Sequence, residues 1–438
     1  MSASLSRRPA RRPRLELFSF DPRIVPALLI TRPDVDGDGS ADDIRIVGDL
    51  QNTKITIQDN GANTVTMSID ANGDGDLTDP GDSNSVAYNF QGDSVALDIN
   101  LGAGNDMIEY TTTANYSASA RTFWVNLGSG NDKFNFGTGT NDTLNASRIS
   151  FDVTGGLGND TVGIQFDEVR KGIVAATTDL GAGADKYTQA FERIDDGAAI
   201  TLRTELGAGV NTYTADFQEV GFGDRAAVDM TVVGGAQVDT VQVNMHDDVG
   251  NGVKSSHFSA VVDLLGGNDV FKSLFDRSGN VFRVDDHSQC SFAVRGGAGN
   301  DTLSAAQTGA AGTIRIDPDA LFSIDLDGGL GNDTMVTDFG AGDTFELLGS
   351  VRVRMDGGLG TDALNCLLAN DVDTTGEYDV AIRGGAGNDT MAFNLVNNGG
   401  APILGPTGKA LLDGGLGTDT LTNSAKPLSV GIGFELVI

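Results

Sequence analysis

Twelve times between residues 101 and 419 a glycine-rich turn closes on an acidic or amide side chain. The series runs LGAGND ending at Asp106, LGSGND at Asp132, GGLGND at Asp160, LGAGAD at Asp185, LGAGVN at Asn211 and GGAQVD at Asp239. It continues with LLGGND at Asp269, GGAGND at Asp301, GGLGND at Asp333, GGLGTD at Asp362, GGAGND at Asp389 and GGLGTD at Asp419. Glycine lets a backbone turn its carbonyls towards one point, and a hard divalent cation seeks roughly six to eight oxygens from carbonyls and carboxylates. Cation binding is therefore the chemistry these turns could perform. Stacked copies would also bring their carboxylates to about 5 Å, where like charges repel unless something positive intervenes. A metal-free account of the same spacing has each Asp capping its own turn. In that account Asn105, Asn131, Asn159, Asn268, Asn300, Asn332 and Asn388 stack beside the caps as a ladder.

Two loops nearer the N-terminus carry alternating carboxylates in calcium-competent patterns. DVDGDGSAD sets Asp34, Asp36, Asp38 and Asp42 at loop positions 1, 3, 5 and 9 with Gly39 at position 6, and DANGDGDLTD offers Asp70, Asn72, Asp74, Asp76 and Asp79. The first resembles the short D-x-D-x-D-G loops of extracellular repeat proteins. Arg45 stands where an EF-hand has its bidentate Glu, so a helix-loop-helix sensor is not expected. Catalytic constellations are thin. His246 with Asp247 and Asp248, and Asp285 and Asp286 with His287, are the only acid/His groupings, and they fall at different offsets from their turns. HExxH, GxSxG and P-loop patterns are lacking. Asp325 and Asp327 belong to a recurring strand pattern that reads as a solvated face. No enzyme is expected.

The elements that must position these groups follow from the period. Successive anchors lie 25 to 32 residues apart, a repeat length that marks a solenoid or propeller. Two residues after each anchor stand Ile108, Phe134, Val162, Tyr187, Tyr213, Val241, Phe271, Leu303, Met335, Leu364, Met391 and Leu421. Seven before it stand Ile99, Val125, Val153, Thr178, Thr204, Val232, Val262, Val294, Leu326, Met355, Ile382 and Leu412. Such columns, flanked by alternation at every second residue, predict strand, tight turn, strand and variable loop in each repeat. A propeller blade needs about 40 residues, so the expected fold is all-β, a single-chain parallel β-solenoid (β-helix) of about twelve coils, roughly 60 Å long. Residues 34–98, with strand-like TKITI and NTVTMSI around Asp59-Asn60-Gly61, should form an N-terminal cap. Residues 99–425 should form the repeats and 426–438 a C-terminal closing strand. Cys290 and Cys366 sit two coils apart in apolar runs, too distant for a disulfide.

The 438 residues carry 61 Asp+Glu against 29 Lys+Arg, a formal net charge of −32, which argues against a nucleic-acid partner. No apolar run approaches the roughly 20 residues of a transmembrane helix. Residues 1–33 hold Arg7, Arg8, Arg11, Arg12 and Arg14, and RRPRLELFSFDPRIVPA resembles the N-terminal motif of exported planctomycete surface proteins. This segment reads as an N-terminal targeting stretch, disordered or removed. The six GGxGxD turns, at Asp160 and from Asp301 to Asp419, resemble RTX, or hemolysin-type, calcium-binding repeats. That resemblance implies Ca²⁺ held between stacked turns by carboxylates and glycine-turn carbonyls. The positions that match are Asp160, Asp301, Asp333, Asp362, Asp389 and Asp419, with Gly297, Gly299, Gly329, Gly331, Gly358, Gly360, Gly385 and Gly387. RTX modules run as tandem nine-residue repeats, whereas here one motif serves a coil of about 28 residues, so one edge of the rod would carry metal. The expectation is an extracellular or cell-surface calcium-binding solenoid with a structural or adhesive role. Its partners would be calcium and surface polysaccharide or other cell-surface proteins. A β-helix acting on polysaccharide is the alternative.

Overall fold

Strands one turn apart pair in parallel because their apolar columns can then stack in one interior. The computed structural model describes residues 28–437 except 38, 80–81, 93, 140–141, 221–224, 247–248, 250–254, 277–280, 309–312, 340–343, 370–375, 397–408 and 424–432. Among the described residues there is no helix, and hence none long and apolar enough to cross a membrane. The chain forms a parallel β-solenoid of about ten turns, close to the twelve motif copies. Several loops that close the C-terminal turns lie outside the described residues.

Strands that enter the glycine turns make one sheet and strands that leave them make a second. Register in the first runs Val294, Leu326, Met355, Ile382, Leu412. In the second it runs Leu303, Met335, Leu364, Met391, Leu421. Both columns picked out by spacing face the interior along their whole length: all their members are buried except Leu421, which is partly buried. The two threonines follow suit. Thr178 donates to the Tyr187 hydroxyl at 3.3 Å, which also accepts from Gln189 Nε2 at 2.6 Å, so hydroxyls and an amide satisfy each other inside the core. Rings stack along the axis, with Phe166, Phe191 and Phe217 at centroid spacings of 5.4 and 5.5 Å. Cys290 and Cys366 are buried and unpaired.

The loop read as variable builds a third wall through most of the coils, where Tyr116, Leu144, Val169, Ile194, Val220, Val249 and Val284 pair in parallel from one coil to the next. Val281–Val284, Thr313–Ile316 and Thr344–Leu347 continue it in parallel, in coils with anchor spacings of 32, 32 and 29 residues. At the N-terminal end, Lys54–Asp59 pairs in parallel with Met107–Thr112 and antiparallel with Thr64–Asp70, which pairs antiparallel with Ser83–Asn89. Ile44–Val47 runs parallel to Ser94–Asn100, the strand that straddles residue 98, and antiparallel to Leu29–Thr31. Residues 1–27, most of the segment expected to be a targeting stretch, lie outside the described residues. Gly433–Val437 pairs with Lys409–Leu416 at the other end.

The cap is locked to the rod by a buried ion pair. Arg121 donates from Nε to Asp59 Oδ2 at 2.6 Å and from Nη2 to the Ala62 carbonyl at 2.6 Å, and both side chains are fully buried. Tyr116 donates to the same carboxylate at 3.0 Å, as does Tyr110. Removing one partner of a buried pair leaves an uncompensated charge. Asp59→Ala should therefore cost about 3–5 kcal/mol in chemical denaturation. Glu205→Ala, which breaks the exposed pair with Arg203, should cost about 1 kcal/mol or less in the same assay.

Candidate metal centre

Each glycine turn forms a corner between the two sheets, and the third glycine explains how closely corners stack. At Gly331, with φ of 135°, a Cβ would fall 1.6 Å from the Gly299 carbonyl oxygen of the preceding coil. Only glycine permits that approach.

The anchors are buried, apart from the partly buried Asp419: Asp301, Asp333, Asp362 and Asp389 are each 1 % exposed. Each Oδ1 accepts the backbone N–H of the anchor one coil earlier. Asp301 N donates to Asp333 Oδ1 at 2.8 Å, Asp333 N to Asp362 at 2.7 Å, Asp362 N to Asp389 at 2.9 Å and Asp389 N to Asp419 at 3.0 Å. The same bonds link Asp106 through Asp132, Asp160 and Asp185 to Asn211, Asp239, Asp269 and Asp301. An anchor thus caps its neighbour's turn. The asparagine ladder is present too, in the opposite sense: Asn332 N donates back to Asn300 Oδ1 at 2.7 Å and Asn300 N to Asn268 Oδ1 at 2.8 Å. Both ladders reach into the cap, where Thr53 N donates to Asp106 Oδ1 at 2.6 Å and Asn105 N to Asn52 Oδ1 at 2.7 Å. GDLQNT at 48–53 is therefore a further degenerate corner, whose Thr in the anchor position hid it from a search for Asp.

The second carboxylate oxygen has no such partner. Oδ2 of Asp106, Asp132, Asp160, Asp185, Asp269, Asp301, Asp333, Asp362 and Asp389 is buried and accepts no hydrogen bond among the described residues. In the Gly-Gly corners this oxygen leans over the first glycine. Where a Cβ of Gly296 would stand, Asp301 Oδ2 lies at 2.4 Å and the Gly328 carbonyl oxygen of the next coil at 2.7 Å. At Gly328 the corresponding oxygens are Asp333 Oδ2 at 2.5 Å and Gly357 O at 2.8 Å, and at Gly384 they are Asp389 Oδ2 at 2.5 Å and Gly414 O at 2.7 Å. Oxygens from two coils thus flank one place, and the carboxylate oxygen has no hydrogen-bond partner among the described residues. A hard cation fits that donor set.

Burial sets the electrostatics. Desolvation raises the anchor carboxyls, partly offset by the backbone N–H each accepts and reinforced by the neighbouring Asp. Asp333 is pushed up to about 6, Asp132, Asp185 and Asp269 to about 6, and Asp106 to about 7. Asp160, Asp301, Asp362 and Asp389 are raised by the same burial.

In the first N-terminal loop, Asp34, Asp36 and Asp43 bring carboxylate oxygens within 4.8 Å of one another. Asp43 holds the loop, accepting from Val35 N at 2.6 Å and Ala96 N at 2.8 Å, while Asp34 accepts from Gly37 N and Gly39 N at 2.8 and 3.1 Å. Asp42 turns elsewhere, to Gln91 N, and Asp38 lies outside the described residues. In the second loop Asp70 likewise accepts from Gly73 N and Gly75 N, at 2.7 and 2.8 Å. The Asn72 amide donates to Asp74 at 3.2 Å and Asp79 at 2.9 Å. Of the acid/His groupings, Asp247 and Asp248 lie outside the described residues. His246 Nε2 sits 2.7 Å from Asp216, Asp285 is buried 2.6 Å from Arg283, and His287 lies 3.8 Å from Asp319.

Set against known proteins, the chain matches no family model, and neither curated proteins nor solved structures yield a match.

A carboxyl raised above its unfolded value of about 4 favours the folded state at low pH, and that contribution is lost as pH climbs through the folded value. With several anchors at about 6 to 7, the chain in excess chelator should melt at progressively lower temperature from pH about 5 to about 8. Thermal melts across that range check it, and a melting temperature that rises over the window would contradict the assignment.

Proposed function

We propose that the chain is a calcium-stabilised solenoid with a structural or adhesive role outside the cell, its metal column running along the glycine corners. The observation that carries this reading is that the Oδ2 atoms of Asp160, Asp301, Asp333, Asp362 and Asp389 are buried without hydrogen-bond partners and share the space over the first glycine with a carbonyl of the next coil. When bound, calcium supplies positive charge and open oxygen coordination between coils. The chain contributes the rest. Asp333 Oδ1 stays committed to the Asp301 N–H, which fixes the carboxylate plane and leaves Oδ2 aimed at the corner. Gly329 and Gly331 keep positive φ, at 97° and 135°, and hold the turn carbonyls in place. Gly297, Gly299, Gly358, Gly360, Gly385 and Gly387 repeat that geometry.

A cation bound only by stacked coils stabilises the folded rod by linkage, about 2.7 kcal/mol per site when free calcium is a hundred times its Kd. Without it, a chain of net charge −32 loosens by self-repulsion. Folding would then follow export to a calcium-rich surface, in keeping with the basic targeting stretch. Surface polysaccharide or other cell-surface proteins would be its partners. The scaffold reading is favoured over a polysaccharide-cleaving enzyme because Asp285 and His246 are each taken up by a charged neighbour.

Far-UV circular dichroism melts of the full chain, in excess EGTA and in about 2 mM Ca²⁺, test the proposal through that linkage. Calcium should raise both the β signal and the melting temperature, and Asp333→Ala with Asp362→Ala should remove a large part of the rise. A melt indifferent to calcium would leave the corners as self-sufficient ladders and sink the metal reading.

A further inference from the structure

The corners are of two kinds, and the first residue of the turn separates them. At Asp160 and from Asp301 to Asp419 that residue is glycine; at Asp106, Asp132, Asp185, Asn211 and Asp269 it is Leu101, Leu127, Leu180, Leu206 and Leu264. All five leucines are fully buried. The position faces inward, so the leucine side chain enters the angle between the two sheets. A leucine Cβ takes the place where the Gly-Gly corners gather oxygens, although the Oδ2 of Asp106, Asp132, Asp185 and Asp269 is likewise buried without a hydrogen-bond partner. At Gly296, Gly328, Gly357, Gly384 and Gly414 the anchor Oδ2 stands 2.4 to 2.6 Å from where a Cβ would be, closer than any real Cβ tolerates. A leucine corner has that Cβ, and hydrocarbon beyond it.

We infer that this first residue decides which corners admit the cation: the Gly-Gly corners at Asp160 and from Asp301 to Asp419 take it, and the leucine corners are closed dry. The inference rests on the calcium reading and sharpens it into a pattern, one isolated corner followed by an uninterrupted run of five. Asp239 belongs with the closed set by a different route. Its corner has Gly234, but its Oδ2 accepts from Gly235 N at 2.8 Å, and its Oδ1 accepts both the backbone N–H and the side-chain amide of Asn211, at 3.1 and 3.0 Å. Both oxygens are satisfied by the protein. The hydrogen-bond ladder runs unbroken through all twelve anchors, whereas the cation column is segmented by side-chain packing.

Counting bound calcium on the full chain by equilibrium dialysis tests this. Asp→Asn keeps the Oδ1 acceptor of the ladder and removes the carboxylate charge. The leucine-corner pair Asp132→Asn with Asp185→Asn should bind as many ions as the unaltered chain, whereas Asp333→Asn with Asp362→Asn should bind fewer. An equal loss from the leucine-corner pair would overturn the inference and leave the calcium reading standing. An unaltered chain that binds no ion would overturn both. Should an Asn variant fail to fold, Gly328→Ala with Gly357→Ala provides the second arm, since each new Cβ would meet an anchor Oδ2 at 2.5 to 2.6 Å. Ion loss with the β signal retained is the expected result, and an unchanged ion count overturns the inference.

Discussion

Everything in this rod depends on one contact repeated along an edge: a backbone N–H of one corner donating to a buried carboxylate of the next. The two sheets could slide against each other by one residue only by turning their apolar columns to solvent. The corner fixes which residue meets which. Because Asp333 Oδ1 binds Asp301 N and Asn332 N binds Asn300 Oδ1, each coil is held to its neighbour by bonds that run in both axial directions. The glycines serve this contact before any other role. Carbonyl oxygens of successive third-position glycines approach where a Cβ would otherwise be.

That contact creates an electrostatic difficulty. An aspartate needed for one hydrogen bond brings a second oxygen with it, and burial forces that oxygen into a place with few donors. Ionised carboxylates in low dielectric are costly unless paired. The chain shows three local answers. Arg121 and two tyrosines neutralise Asp59 at the cap, the Asn211 amide and Gly235 N–H satisfy Asp239, and oxygens from two coils converge over glycine in the C-terminal corners. Burial raises the anchor carboxyls in leucine and glycine corners alike, and at Asp239 as well.

Much of this was legible in the sequence, and what was not shares a physical cause. The period and the two inward columns require only that residues of one type recur, so the solenoid, the cap hairpin around Asn60 and the ladder of asparagines could be read directly. The destination of a side-chain oxygen could not. Spacing places Asp333 at a corner, but whether its carboxylate reaches inward, and to which coil, depends on how tightly third-position glycines stack. Asp43 joins Asp34 and Asp36, while Asp42 turns to Gln91, since strand Ile44–Val47 fixes which of two adjacent aspartates points inward. The Asp59–Arg121 pair spans 62 residues and carries no periodic signal. The third wall was hidden because its separate strands are only two to four residues long.

The two opposed ladders have a consequence for how such a chain can change length. Along the anchor ladder every corner presents a backbone donor to one neighbour and a side-chain acceptor to the other, so copies are interchangeable in that contact. Spacings from 25 to 32 residues are accommodated because loops and the third wall bulge sideways while the corner keeps its axial step. A whole repeat could be duplicated or lost in frame and the edge would rejoin without a mismatch. The number of coils is therefore a quantity that recombination can adjust freely, whereas the six residues of the corner are the fixed grammar of the molecule.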